Sequence, residues 1–124
     1  MKFLIPTAGR TPAERNAPYV LGIAKKLGAE VFVLHILDPG EDDTEGREAL
    51  DIYKKVGKEL GVKVLTHIME GNVVPTIVDF AEGEGVNLIA MGASRGNIIA
   101  EWVVTDVLEK TNIPVVILPY GFPY

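Results

Sequence analysis

Cysteine is absent from all 124 residues, which excludes disulfides, thiol nucleophiles and Cys-ligated zinc or iron–sulfur centres. Histidine occurs only twice, so a His-rich metal site is excluded as well. Glutamine is missing, and serine occurs once, at Ser94. The surrounding Ala93-Ser94-Arg95-Gly96 lacks the Gly-x-Ser-x-Gly elbow of a serine hydrolase. No Gly-x-Gly-x-x-Gly or Gly-x-x-x-x-Gly-Lys-Ser/Thr is present, so the dinucleotide fingerprint and the P-loop are both absent. No apolar run approaches the ~18 residues of a membrane span, and Met1–Pro6 is too short for a signal-peptide core. Positive charge is in deficit, with 12 Lys and Arg against 17 Asp and Glu and a net charge of −5. A nucleic-acid partner is therefore not expected, because affinity for phosphate backbones rests on clustered cations. The expectation is a cytoplasmic protein with neither membrane nor nucleic acid as partner.

What is present is an ordinary globular composition, 48% hydrophobic and 23% charged, at a length that suits one domain over residues 1–124. Short apolar runs at Lys2–Pro6, Glu30–Leu37, Lys63–Met69, Leu88–Met91 and Val115–Leu118 alternate with longer periodic stretches. Their nearly unbroken hydrophobicity suits parallel strands covered on both faces, and the alternation predicts βαβ units. Helices are expected over Pro12–Leu27, Thr44–Leu60, Val73–Glu84 and Asn97–Thr111. Thr11-Pro12-Ala13-Glu14 reads as a capping box with Pro at the first helical position. Pro18 then either kinks this helix or restricts it to a start near Asn16. Asn72 and Asn97 are candidate caps, and Gly28, Gly61 and Gly85 stand where helices should end. The second helix is the weakest, since Gly46 and Gly57 each cost ~1 kcal/mol relative to Ala. Its acidic entry, Glu41-Asp42-Asp43-Thr44-Glu45, lacks calcium-loop spacing and reads as a solvated helix start.

In a parallel sheet of order 3-2-1-4-5, ligands bind beyond the carboxyl ends of strands one and four. The loops there are Thr7-Ala8-Gly9-Arg10-Thr11 and Gly92-Ala93-Ser94-Arg95-Gly96-Asn97. The second joins two glycines to a helix start, whose free N–H groups suit an anion, and Arg10, Ser94 and Arg95 add donors. The same spacing also serves any tight strand-to-helix turn. His35 reads as a buried, hydrogen-bonded core residue, with a role at the crevice as the alternative, and His67 reads as structural. Glu14, Asp38 and Asp79 show no spacing that marks an acid–base pair, so no enzymatic activity is expected beyond, at most, a weak ATPase.

Lys2-Phe3-Leu4-Ile5-Pro6, Ala24-Lys25-Lys26-Leu27-Gly28-Ala29-Glu30 and Val33-Leu34-His35-Ile36 resemble the first half of a universal stress protein domain. Gly85-Val86-Asn87-Leu88-Ile89-Ala90-Met91-Gly92 and Ile113-Pro114-Val115-Val116-Ile117 resemble the second half. The resemblance covers essentially the whole chain. It implies a Rossmann-like three-layer α/β fold of the adenine nucleotide alpha hydrolase type, with a five-stranded parallel sheet. It also implies ATP or AMP as the possible ligand, held by Pro6, Thr7, Ala8, Gly9, Arg10, Ile36, Gly92, Ser94, Arg95, Gly96 and Asn97. Nucleotide-binding members carry an aspartate where this chain has Ala8, and Gly-Ser/Thr where it has Glu101-Trp102. Those departures imply a degraded site with weak or lost ATP binding, and a regulatory or interaction module.

The tail carries a separate signal. Val115, Val116, Ile117 and Leu118 form an apolar strand expected at the sheet edge, where an exposed run invites pairing. Tyr120, Phe122 and Tyr124 crowd aromatics into the last five residues, a composition that suits an interface core. The resemblance likewise implies a homodimer through the last strand, with Val115–Leu118, Tyr120 and Phe122 at the contact. Trp102 is a candidate to fill the vacated crevice.

Overall fold

Apolar runs that only two-sided burial explains become five parallel strands. The fold, a computed structural model, is described for residues 1–92 and 98–118, and for 98–102 as backbone only. Strands β1 (Lys2–Pro6), β2 (Glu30–Leu37), β3 (Val64–Glu70), β4 (Leu88–Gly92) and β5 (Val115–Leu118) alternate with helices α1 (Arg10–Leu27), α2 (Thr44–Leu60), α3 (Val73–Gly83) and α4 (Ile98–Lys110). The sheet order is β3-β2-β1-β4-β5, all pairs parallel, as expected. Leu4 on the central strand stands opposite Phe32 of β2 and Ile89 of β4.

Because successive strand residues point to opposite faces, each strand feeds two cores. Phe3, Ile5, Val31 and Val33 pack with Ala17, Leu21 and Tyr53 of α1 and α2. Leu4, Phe32, Leu34 and Ile89 pack with Ile77 and Ala81 of α3 and Val107 of α4. The layers are therefore α1 and α2 on one face, and α3 and α4 on the other.

Two helix expectations need correction. The first helix begins at Arg10, not Pro12, with Gly9 at its N-cap and no cap bond from a side chain of its own. Thr11 and Glu14 consequently lie inside the helix and no capping box forms. Glu14 pairs instead with Arg10 one turn back, at 2.7 Å. The cap comes from a distant residue: Oε2 of Glu45, in the first turn of α2, accepts from the Arg10 backbone N–H at 3.1 Å. Pro18 does not divide the helix, which runs through it for 18 residues. Pro18 and Glu14 are both exposed, so the carbonyl that loses its donor faces solvent. Asn72 precedes α3 as expected, yet its side chain makes no cap bond. Asn97 lies outside the described residues.

Gly28 and Gly61 end α1 and α2 in the left-handed region, at φ 64° and 75°, where an L side chain is disfavoured. Gly46 has a different reason to be glycine. A Cβ there would lie 2.2 Å from Cδ2 of His35, so α2 accepts a poor helix former in order to seat against that ring.

Candidate functional site

The strand order reverses at β1, and a cavity of about 380 Å³ opens beyond the carboxyl ends of β1 and β4. Of the sequence candidates, Pro6, Thr7, Ala8, Ile36 and Gly92 line it, while Gly9 and Arg10 do not. Arg10 is turned to Glu14, whose hydrogen bond and charge raise the guanidinium pKa above its ordinary value. Ser94, Arg95, Gly96 and Asn97 lie outside the described residues. Arg15, Asn16, His35, Glu41 and Tyr53 join the lining. Sequence reasoning missed Arg15, Asn16, Glu41 and Tyr53, because their helices and loop reach the crevice only through tertiary packing.

Thr7 is held at both backbone groups. Its N–H donates to the Leu34 carbonyl at 2.9 Å, and its carbonyl accepts from Nδ1 of His35 at 2.8 Å. Its hydroxyl has no partner among the described residues, although the residue is only 8% exposed. An unmade hydrogen bond at a buried hydroxyl costs ~1–3 kcal/mol, so the crevice floor carries an unmet polar demand. Among the described residues it is the sole buried side-chain polar atom in that state.

His35 is the buried, hydrogen-bonded residue expected from sequence, and it also faces the crevice. Its other ring nitrogen, Nε2, stands 3.4 Å from Oε2 of Glu41. Glu41 is set by a turn in which its N–H donates to the Asp38 carbonyl at 3.0 Å. Its side chain remains 39% exposed against 6% for His35. Tyr53 is buried, and burial pushes its hydroxyl pKa up, so the phenol stays neutral at the base of the site. Asn16 packs so closely on Gly92 that a Cβ there would meet its Nδ2 at 2.7 Å.

The acidic entry to α2 is used piece by piece rather than as a cluster. Asp42 accepts from the Thr44 N–H at 2.7 Å and from its hydroxyl at 2.5 Å, and these bonds hold its carboxyl pKa below the usual aspartate value. Asp43 pairs with Arg47 at 2.6 Å, and Glu45 caps α1. Among the described residues, no three His, Asp or Glu gather as a metal site. His67 sits away from the crevice in an aromatic group with Phe80 and Phe32, at ring distances of 5.0 and 6.1 Å.

At the β5 edge, Val116 and Ile117 are 40% and 48% exposed. Val115 is half-buried, and Leu118 turns inward to line the crevice. Tyr120, Phe122 and Tyr124 lie outside the described residues, as does the side chain of Trp102. No described helix is long and apolar enough to cross a membrane.

A doubly wound parallel sheet with a ligand-sized crevice at its switch point defines a class, the Rossmann-like α/β binding domains. Comparison with known proteins narrows it: the universal stress protein family model matches residues 1–119, and the chain belongs to that family. A universal stress protein of Methanocaldococcus jannaschii is 31% identical, over 94% of this chain and 81% of the relative. A universal stress protein from Archaeoglobus fulgidus, solved in complex with dAMP, is 26% identical, with a TM-score of 0.75 over 94% of this chain and 96% of that one. Another, solved in complex with cAMP, shares the fold at a TM-score of 0.80 with 17% identity, over 98% of each chain.

Proposed function

We propose that this chain is a homodimeric regulatory module, not an enzyme, whose crevice takes an adenine nucleoside monophosphate in preference to ATP. The observation that carries the reading is the 380 Å³ crevice, whose lining includes Thr7, with a buried hydroxyl that has no partner among the described residues. That volume lies at the small end of ligand pockets, ~300–1,000 Å³, and suits a nucleoside better than a polyphosphate. Arg15 is the one Lys or Arg among the described lining residues, and Glu41 opposes it in charge. A carboxylate on the wall disfavours a triphosphate. The Archaeoglobus fulgidus relative in complex with dAMP supports the ligand class. Ala8 offers no hydrogen bond to a base, which supports modest affinity.

Calorimetry on the purified chain tests the ligand. AMP is expected to bind more tightly than ATP, and absence of AMP binding at millimolar concentration would overturn the reading. The exposed Val116 and Ile117 on the β5 edge support self-association there, since unpaired apolar edges call for cover. Light scattering after size exclusion is expected to give a dimer that Val116→Lys converts to monomer. A wild-type monomer at micromolar concentration would remove the dimer from the proposal.

A further inference from the structure

The pair made by His35 and Glu41 is unusual in what it leaves undone. The Thr7 carbonyl only accepts, so Nδ1 of His35 carries the proton of the 2.8 Å bond between them. In the neutral ring Nε2 is then bare and free to accept. The two atoms are 3.4 Å apart, well beyond the ~2.7–2.9 Å of a charge-assisted N–H···O bond. That separation leaves both atoms without a short bond to each other. Gly46 and the Thr7 carbonyl lock the ring in place, while the Glu41 side chain is open enough to turn toward a ligand. Both residues line the crevice, as does Thr7.

We infer that Nε2 of His35 and the carboxylate of Glu41 form an acceptor pair that selects ligands presenting a primary amine. An amino group bridging the two from the crevice, with the exposed Glu41 side chain turned toward it, gives an N–H to each. A carbonyl oxygen in the same place adds a third acceptor and is rejected. Applied to the ligand class proposed above, on which this inference rests, the pair distinguishes a base bearing an exocyclic amine from its keto counterpart. Sites built to hydrogen-bond one group discriminate strongly against an analogue lacking it, because their own polar atoms are then stranded. Glu41 is a specificity-determining residue in this scheme, and His35 both accepts and positions it.

AMP and IMP, which differ at the amino or keto group of the base, are the probes, measured by calorimetry on the full chain. The wild type is expected to favour AMP about tenfold to a hundredfold, the range for a hydrogen bond to a charged group. Glu41→Gln replaces half the acceptor with an amide donor and is expected to bring the AMP-to-IMP ratio close to one. The residue's exposure keeps the change out of the core, and far-ultraviolet circular dichroism of the variant checks the fold. ¹⁵N NMR of the histidines is a second reading: His35 Nε2 is expected at the deshielded position of a bare ring nitrogen in the free protein. Equal affinity of the wild type for AMP and IMP overturns the inference and leaves the proposed function standing. An unchanged ratio in Glu41→Gln, or a protonated Nε2 in the free protein, also overturns it. Failure of the wild type to bind either nucleotide removes both.

Discussion

Gly46→Ala is the perturbation that tests most of the packing around the crevice. At an open helix position this change adds ~1 kcal/mol of stability, the difference in helix propensity. At position 46 the new methyl would lie 2.2 Å from Cδ2 and 2.7 Å from Cγ and Nε2 of His35. The ring cannot yield freely, because its side chain is 6% exposed and bonded to the Thr7 carbonyl. Forcing an extra methyl into a packed site costs ~1–3 kcal/mol. If the ring moves, a buried hydrogen bond goes with it, at ~1–3 kcal/mol. Together, less the propensity gain, these leave a net loss of about 1–5 kcal/mol, read from urea unfolding as a lower midpoint at constant slope. Gly22→Ala in α1 is the control, since a Cβ there meets nothing within 4 Å; it should stabilise by about 0.5–1 kcal/mol. The decisive measurement is the double-mutant cycle. With the ring removed by His35→Ala, Gly46→Ala should become stabilising. A stabilising Gly46→Ala in the wild-type background would refute the argument, as would the same destabilisation in both backgrounds.

Thr7→Val removes the one described buried hydroxyl without a partner; the unliganded protein should gain about 1 kcal/mol, while calorimetry should show weaker AMP binding. Glu45→Ala deprives the Arg10 N–H of its acceptor and should cost about 1 kcal/mol in chemical denaturation, the usual worth of a helix cap. Thr44→Ala takes the hydroxyl bond from Asp42. The Asp42 carboxyl should then titrate at higher pH, nearer an ordinary aspartate, as followed by carboxyl ¹³C NMR. The sign follows from the lowered folded-state pKa of Asp42. Its contribution is present above the unfolded-state pKa and lost as pH falls through the folded one, so Thr44→Ala should lessen the protein's acid sensitivity.

The strands were legible because β1, β2 and β4 are apolar on both faces, a pattern few alternatives explain. Helix ends marked by Gly28 and Gly61 were legible because the left-handed region favours glycine. The start of α1 was misread because its cap is tertiary: a local rule finds Thr11 and Glu14, and nothing near Gly9 announces Glu45 from 35 residues away. Gly46 and Gly57 looked like flaws in α2 for the same reason. Their partners, His35 and Val64, stand on the neighbouring strands. The crevice was half legible. The β1 end was found through the strand-order rule, whereas Glu41 and Arg15 enter from a loop and a helix face whose orientation depends on packing.

Glu45 also gives the molecule a sense of time. On a ribosome, α1 emerges well before the carboxylate that completes its first turn, so Gly9 and Arg10 wait with open donors. The β1–α1 corner acquires its final form only when the start of α2 arrives and docks. That docking also brings Gly46 onto the ring of His35, whose Nδ1 grips the Thr7 carbonyl. The β1–α1 side of the crevice is therefore completed by the second helix rather than by the first βαβ unit alone.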